Sequence, residues 1–222
     1  MLRSLFFGSA IFFFSFSAPS VHAQDDPNSL VVRASRLIDS TMASLNIRAQ
    51  RFNEELAKAN ALKPLEVASL AKETIPKNRE QLKDFLSYLD VYRTLSHKLQ
   101  EDVEDSVKNL RSKMSAHHRA TFMQEFLDAY DMDQTAFNKY TVALTKVFTN
   151  INAVLAFIET SNVTTKDNKL QFNNKEEYEK YSELIEAVEK SNKRLINASA
   201  TSQKATIDAS GMMQKAYGAI RK

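Results

Sequence analysis

Histidine occurs four times, at His22, His97, His117 and His118, and these positions limit the metal chemistry open to the chain. Di-iron helical bundles need paired Glu-x-x-His motifs aimed inward. Thr94 stands three residues before His97, and Met114 and Ser115 stand three before His117 and His118, so that ligand set is absent. A non-covalent haem needs an axial histidine facing a second histidine or a methionine, for which Met42 and Met123 are the nearest choices. His117-His118 falls at a helix start beside Arg119 and reads as a solvated cap. His97, between Leu95 and Leu99, reads as a boundary residue.

The acidic clusters are no richer in chemistry. Calcium loops place oxygen ligands at alternating positions around a glycine turn, whereas Glu101-Asp102-Val103-Glu104-Asp105 and Asp128, Asp131 and Asp133 lie inside helical patterns. They are expected to be solvated faces, with Lys98-Asp102 and Glu104-Lys108 spaced for i,i+4 pairs. The chain has no cysteine, which removes disulfides, thiolate metal sites, cysteine nucleophiles and c-type haem attachment together. Gly-x-Gly-x-x-Gly and Walker patterns are absent as well. Serines are plentiful, but no Ser-His-Asp set stands out by position. No catalytic residue, metal site or cofactor is expected, and the chain reads as a non-enzyme.

The elements that must position these residues are helices. Three glycines and four prolines in 222 residues are too few for a turn-rich β protein. From Leu30, apolar or small residues recur at Ala34, Leu37, Ile38, Leu45, Ala49, Phe52 and Leu56, in steps that line one helical face. This predicts a helix over 28–60, with Asp26-Pro27 as N-cap and first-turn proline. A short helix is expected over 65–73, and Pro76 then starts or kinks the next. The second long helix, 77–113, carries Leu82, Phe85, Leu86, Leu89, Leu95, Leu99, Val103, Val107, Leu110 and Met114 at near-heptad spacing. The third, 117–160, is the most aromatic, with Phe122, Phe126, Tyr130, Phe137 and Tyr140 leading to Leu144, Val147, Ile151, Val154, Leu155 and Ile158. Fusion of these two through Ser112 to Ala120 into one coiled coil is the alternative.

Residues 163–172 break the pattern with β-branched residues, an Asp-Asn turn and then Leu170 and Phe172, which predicts a short extended or hairpin-like connection. Asn174 with Glu177 three residues on forms a capping box for a last helix over 174–218. The fold class is therefore all-α: an elongated antiparallel four-helix bundle, coiled-coil-like, forming one domain over 24–222. Heptad stripes of this kind close within one chain or between two, so a homo-oligomer is compatible with them.

Ahead of the bundle, the apolar run Leu5 to Phe16 is about a dozen residues long, against the roughly 20 that span a hydrocarbon core. Arg3 precedes it, and Val21 and Ala23 follow as small residues before a cut. Residues 1–23 thus read as a signal peptide cleaved near Ala23, giving a periplasmic or secreted product with no membrane span. An uncleaved amphipathic anchor is the competing reading, but the run has no polar face. The formal charge of +3 falls by one with Arg3, a balance that argues against a nucleic-acid partner.

One stretch, Asn197 to Gly211, has small residues where the other helices carry Leu or Phe. It reads either as a close helix crossing or as a partner or ligand groove floored by Ala198, Ala205 and Ala209 with Met212 and Met213 as adaptable walls. The segment LQFNNKEEYEKYSELIEAV, with NREQLKDFLSYL upstream, resembles a family of uncharacterised enterobacterial envelope lipoproteins with a helical domain of unknown function. That resemblance implies an envelope location and no activity, and the lipid-acceptor cysteine of the family is missing here. The expectation is an exported helical bundle of the bacterial envelope that binds an envelope protein. Its alternatives are a periplasmic small-molecule-binding or sensor module, then a haem-binding bundle.

Overall fold

In the computed structural model, which describes residues 29–167 and 169–220, the chain is an all-α helical bundle carrying one short hairpin. The signal-peptide reading and the Asp26-Pro27 cap lie outside the described residues. Helix α1 spans Leu30–Ala61, and its first turn is held by Ser29, whose Oγ accepts from the Val32 N–H at 3.3 Å. A serine in this place satisfies one of the amide groups that a helix start leaves without a partner. The chain leaves α1 through Lys63 in left-handed backbone, φ 42°, immediately before Pro64, which cannot continue a helix.

The short helix expected over 65–73 is a single 3-10 turn, Val67–Leu70. Side chains of the next helix compete for its backbone: Thr74 Oγ1 and Asn78 Nδ2 both donate to the Ser69 carbonyl, at 3.1 Å each. Helix α2, Ile75–Arg111, has Pro76 in its first turn, where the missing N–H costs no hydrogen bond. It does not fuse with the following helix. Ser115 is extended and caps α3, Ala116–His118, by accepting from the His118 N–H at 3.2 Å. A π-helical turn, Arg119–Met123, then leads into α4, Gln124–Thr160. This extra residue in the repeat, which no sequence pattern announced, accompanies the full burial of Phe122 and Met123.

The expected connection is a true hairpin. Strands β1, Thr164–Lys166, and β2, Lys169–Gln171, pair antiparallel in the register Thr165↔Leu170. Asp167 adopts φ 49°, the left-handed backbone that a two-residue hairpin loop requires. Helix α5, Lys175–Ile220, forms the Asn174 half of the expected capping box, while the Glu177 carboxylate reaches one residue further back than the box requires. The Glu177 N–H donates to Asn174 Oδ1 at 2.8 Å, and the Glu177 carboxylate accepts from the Asn173 and Asn162 N–H groups at 3.1 and 3.2 Å. One carboxylate thus ties the end of α4, the exit of the hairpin and the start of α5 together.

The chain packs as two compact units, where the sequence reads as one domain; each of the four long helices contributes a stretch to both. One unit holds Asn53–Val91 and the described part of Lys139–Ala200. Its core includes Leu82, Phe85, Leu89, Val147, Phe148, Ile151, Leu155 and Val188, with Phe85 and Phe148 edge to face at 4.9 Å. At its margin Arg79 pairs with Glu159 and donates from Nε to Asn152 Oδ1 at 3.2 Å. Asn150 Nδ2 donates across to the Ala187 carbonyl at 3.0 Å and to Ser191 Oγ at 3.1 Å.

The other unit holds residues 29–52, Tyr92–Asn138 and 201–220. Its core joins Ala34, Ile38, Met42 and Leu45 of α1 to Val103, Val107 and Leu110 of α2, Phe126 and Tyr130 of α4, and Ala209, Met213 and Tyr217 of α5. Ala116–Thr160 is long and apolar enough to cross a membrane by length and composition. Phe122, Phe126, Phe137, Leu144, Phe148 and Leu155 on this stretch are buried in the core.

Removing the cap should loosen the start of α5. Asn174→Ala and Glu177→Ala are each expected to cost about 1 kcal/mol, read as a lower urea midpoint at unchanged slope.

Candidate functional site

The heptad stripes contain polar interruptions. On α4 the buried positions run Phe126, Tyr130, Asp133, Phe137, Tyr140 and Leu144, in alternating steps of four and three. On α2 they run Leu89, Tyr92, Ser96 and then half-buried Leu99. On α5 they include Ser202, Thr206, Ala209 and Met213. Asp133, Ser96 and Thr206 therefore occupy positions that a bundle ordinarily fills with leucine or valine.

These residues meet in one layer. Thr206 Oγ1 donates to Asp133 Oδ1 at 2.7 Å, and Gln134 Nε2 donates to Asp133 Oδ2 at 3.2 Å. The other end of the Gln134 amide, Oε1, accepts from Arg48 Nη2 at 3.0 Å, while Arg48 Nη1 donates to Ser96 Oγ at 2.9 Å. The chain Thr206, Asp133, Gln134, Arg48, Ser96 thus links α5, α4, α1 and α2 through side chains alone. Asp133 is 3% exposed, and an ionised carboxylate at that depth persists only when paired and hydrogen-bonded. Burial pushes its carboxyl above the ordinary value, while Thr206, the Arg48 charge and Gln134 pull it back down.

Aromatic rings hold the arginine. Its Cζ lies 5.6 Å from the Tyr92 ring centroid and 5.8 Å from that of Phe137, within cation–π range. Phe52, Tyr92 and Phe137 form a triad with centroids 5.1 to 5.4 Å apart. Tyr130, one turn before Asp133, buries a hydroxyl that finds no partner among the described residues. Burial pushes that phenol up to about 12, with the Arg48 charge lowering it and the Asp133 charge raising it. The hydroxyl is held neutral beside the layer.

Asp133 overturns the expectation that its acidic cluster is a solvated face; Asp128 and Asp131 are exposed as expected. The physical reason is angular, since Asp133 continues the row of Phe126 and Tyr130 and its two neighbours in the cluster do not. The i,i+4 pairs also differ. Lys108 meets Asp105 at 3.1 Å, and Glu104 instead accepts from Gln100 Nε2 at 3.1 Å. Leu95, read as part of the α2 stripe, is 55% exposed while Ser96 turns inward.

The other sequence candidates scatter. His97 and His117 are exposed and His118 is half-buried, while Met42 and Met123 lie in the apolar core. Among the described residues, no group of three or more His, Asp and Glu side chains is placed to hold a metal ion. In the small-residue stretch, Ala209 and Met213 are fully buried in the core cluster, Met212 packs against it and Ala205 is buried. Ala198, in the other unit, is half-buried.

With this geometry in view, the chain was compared with known proteins: no family model, curated protein or solved structure matches it.

Stability should carry the signature of the buried carboxyl. Its folded value is raised above 3.8, so the penalty for ionising it is absent at lower pH, grows as pH rises through the folded value and is complete beyond it. Asp133→Asn is therefore expected to gain on the parent protein in melting temperature as pH rises from about 4 to 7, by this linkage. Thr206→Val removes a hydrogen bond that favours the ionised form, and should cost about 1.5–3 kcal/mol at neutral pH and less in acid. Parallel pH–stability curves for all three proteins would contradict the assignment.

Proposed function

We propose that this chain is a non-enzymatic helical bundle of the bacterial cell envelope, exported by its N-terminal segment, that works by binding a protein partner. One observation carries the reading. Each helix that sends a polar side chain into the layer exposes a large apolar side chain at the adjacent position: Ile47 beside Arg48, Leu95 beside Ser96, Met132 beside Asp133 and Ile207 beside Thr206. Neighbouring residues differ by about 1.5 Å along a helix, so all four stand at the level of the layer. Their exposures are 56%, 55%, 38% and 72%.

This arrangement inverts the usual one, with polar groups inside and apolar groups outside at the same height. Single exposed apolar residues are ordinary on protein surfaces, but one on each of the four helices at the level of the polar layer supports recognition by an apolar partner surface. The chemistry of Asp133 and Arg48 is meanwhile consumed within the fold, which supports a binding role over a catalytic one. The likeness of residues 170–188 to envelope lipoproteins, and the signal-like segment ahead of the bundle, support the envelope as the location.

A photo-cross-linker at exposed Gln203, one turn before Ile207 on α5, tests the reading in the exporting cell. The expected result is one discrete adduct that disappears when Ile207→Glu is added, while the melting temperature stays unchanged. An adduct of twice the chain mass would identify a second copy as the partner. Absence of an adduct, or one indifferent to Ile207→Glu, would overturn the reading.

A further inference from the structure

A groove of about 400 Å³ opens between the first turns of α1 and the end of α2, lined by Arg33, Arg36, Leu37, Ser40, Ser106, Asn109 and Leu110. Its charge is entirely positive: no carboxylate is among the lining residues. Arg33 and Arg36 lie three apart on α1, which puts their side chains on one face about 5–6 Å from each other at Cβ. Neither arginine forms an ion pair or a side-chain hydrogen bond among the described residues. On the opposite helix Arg111, in the last turn of α2, adds to the positive charge beside the lining residue Leu110, while Lys108 is paired with Asp105 at 3.1 Å.

From this geometry we infer that the groove binds a phosphate group carried on a small apolar or amphiphilic moiety. A carboxylate satisfies one guanidinium fork through its two oxygens. Two arginines and an asparagine lining one groove suit an anion that presents three or more acceptor oxygens at once, as a phosphate does. Leu37 and Leu110 supply an apolar wall for the organic part. Ser40 and Ser106 presently donate to the carbonyls of Leu37 and Asp102, at 3.1 and 2.8 Å, so the arginines and Asn109 provide the free donors. The phosphate source is either a soluble phosphate ester or the headgroup of an acidic lipid. This site stands apart from the protein-binding surface proposed above and does not depend on it.

Titration calorimetry of the full chain with inorganic phosphate, and with acetate for comparison, reads the site directly. Sedimentation with phosphatidylcholine vesicles, with and without phosphatidic acid, separates the two sources. Saturable phosphate binding is expected, with acetate far weaker. Arg33→Gln and Arg36→Gln should each weaken it at least about tenfold, as loss of a charge-assisted pair does. Arg51→Gln, an exposed arginine further along α1, should leave it unchanged. Binding of phosphate in solution with no vesicle dependence assigns a soluble ester, and phosphatidic-acid-dependent sedimentation lost in Arg36→Gln assigns a lipid headgroup. Binding of neither probe would overturn the inference, as would equal affinity for acetate or a response of Arg51→Gln equal to that of the two groove variants.

Discussion

A carboxylate buried in a helical core must be answered by donors from its neighbours, and Asp133 imposes that demand on every helix of its unit. Thr206 answers from α5, Gln134 from α4 itself, and Arg48 from α1 through Gln134, while Ser96 of α2 accepts from the second guanidinium nitrogen of Arg48, whose Nε has no partner among the described residues. Apolar side chains would stabilise the same space at lower electrostatic cost. What they lack is direction. A Leu-for-Leu contact tolerates a slip of one heptad, whereas sliding any one helix here would leave a buried charge or amide without its partner, at a cost set by desolvation. Polar residues at core positions of coiled coils act in this way on register, and in this unit the constraint passes through all four helices. The Tyr92 and Phe137 rings lie against the guanidinium of the half-buried arginine.

The other unit solves its packing differently. Its interior is mainly aliphatic and aromatic, with Thr141, Ser191 and Asn192 as its buried polar residues, and further polar contacts come from the Arg79–Glu159 pair and the Asn150 amide. Glu177 adds a local anchor, because its carboxylate holds backbone from three segments at the point where the chain turns through the hairpin. Partly exposed ion pairs contribute little to stability, so packing dominates here. The same chain therefore contains one unit specified by directional bonds and another held by shape and burial.

Inward polarity and outward apolarity at the Asp133 level belong together as a functional argument. Residues spent on the layer are unavailable to a substrate, and the apolar residues beside them are unspent in the core. The Arg33 and Arg36 groove presents the opposite case, with charge that no ion pair among the described residues neutralises. One unit thus carries both an apolar level and a cationic groove.

Much of this architecture is legible in the sequence because it follows from local periodicity. Repeats of three and four, scarcity of glycine and proline, the Asn174–Glu177 box and the Asp167 turn set the long helices and the hairpin to within a few residues. Asp133 was legible in principle: the steps from Phe126 to Tyr130 to Phe137 leave a core position that only residue 133 or 134 fills. Its acidic neighbours obscured it, since a carboxylate among carboxylates resembles a water-facing helix surface. Leu95 misled in the converse sense, being apolar but one step out of the row. Local sequence thus determined which segments are helical and where they start and stop, because capping and periodicity act over a few residues. Only the tertiary structure decided which polar residues are buried, which apolar ones are left outside, and that Arg48, Ser96, Gln134, Asp133 and Thr206 converge. The reason is that partners separated by tens of residues are brought within 3 Å by helix packing, and no local pattern encodes that distance.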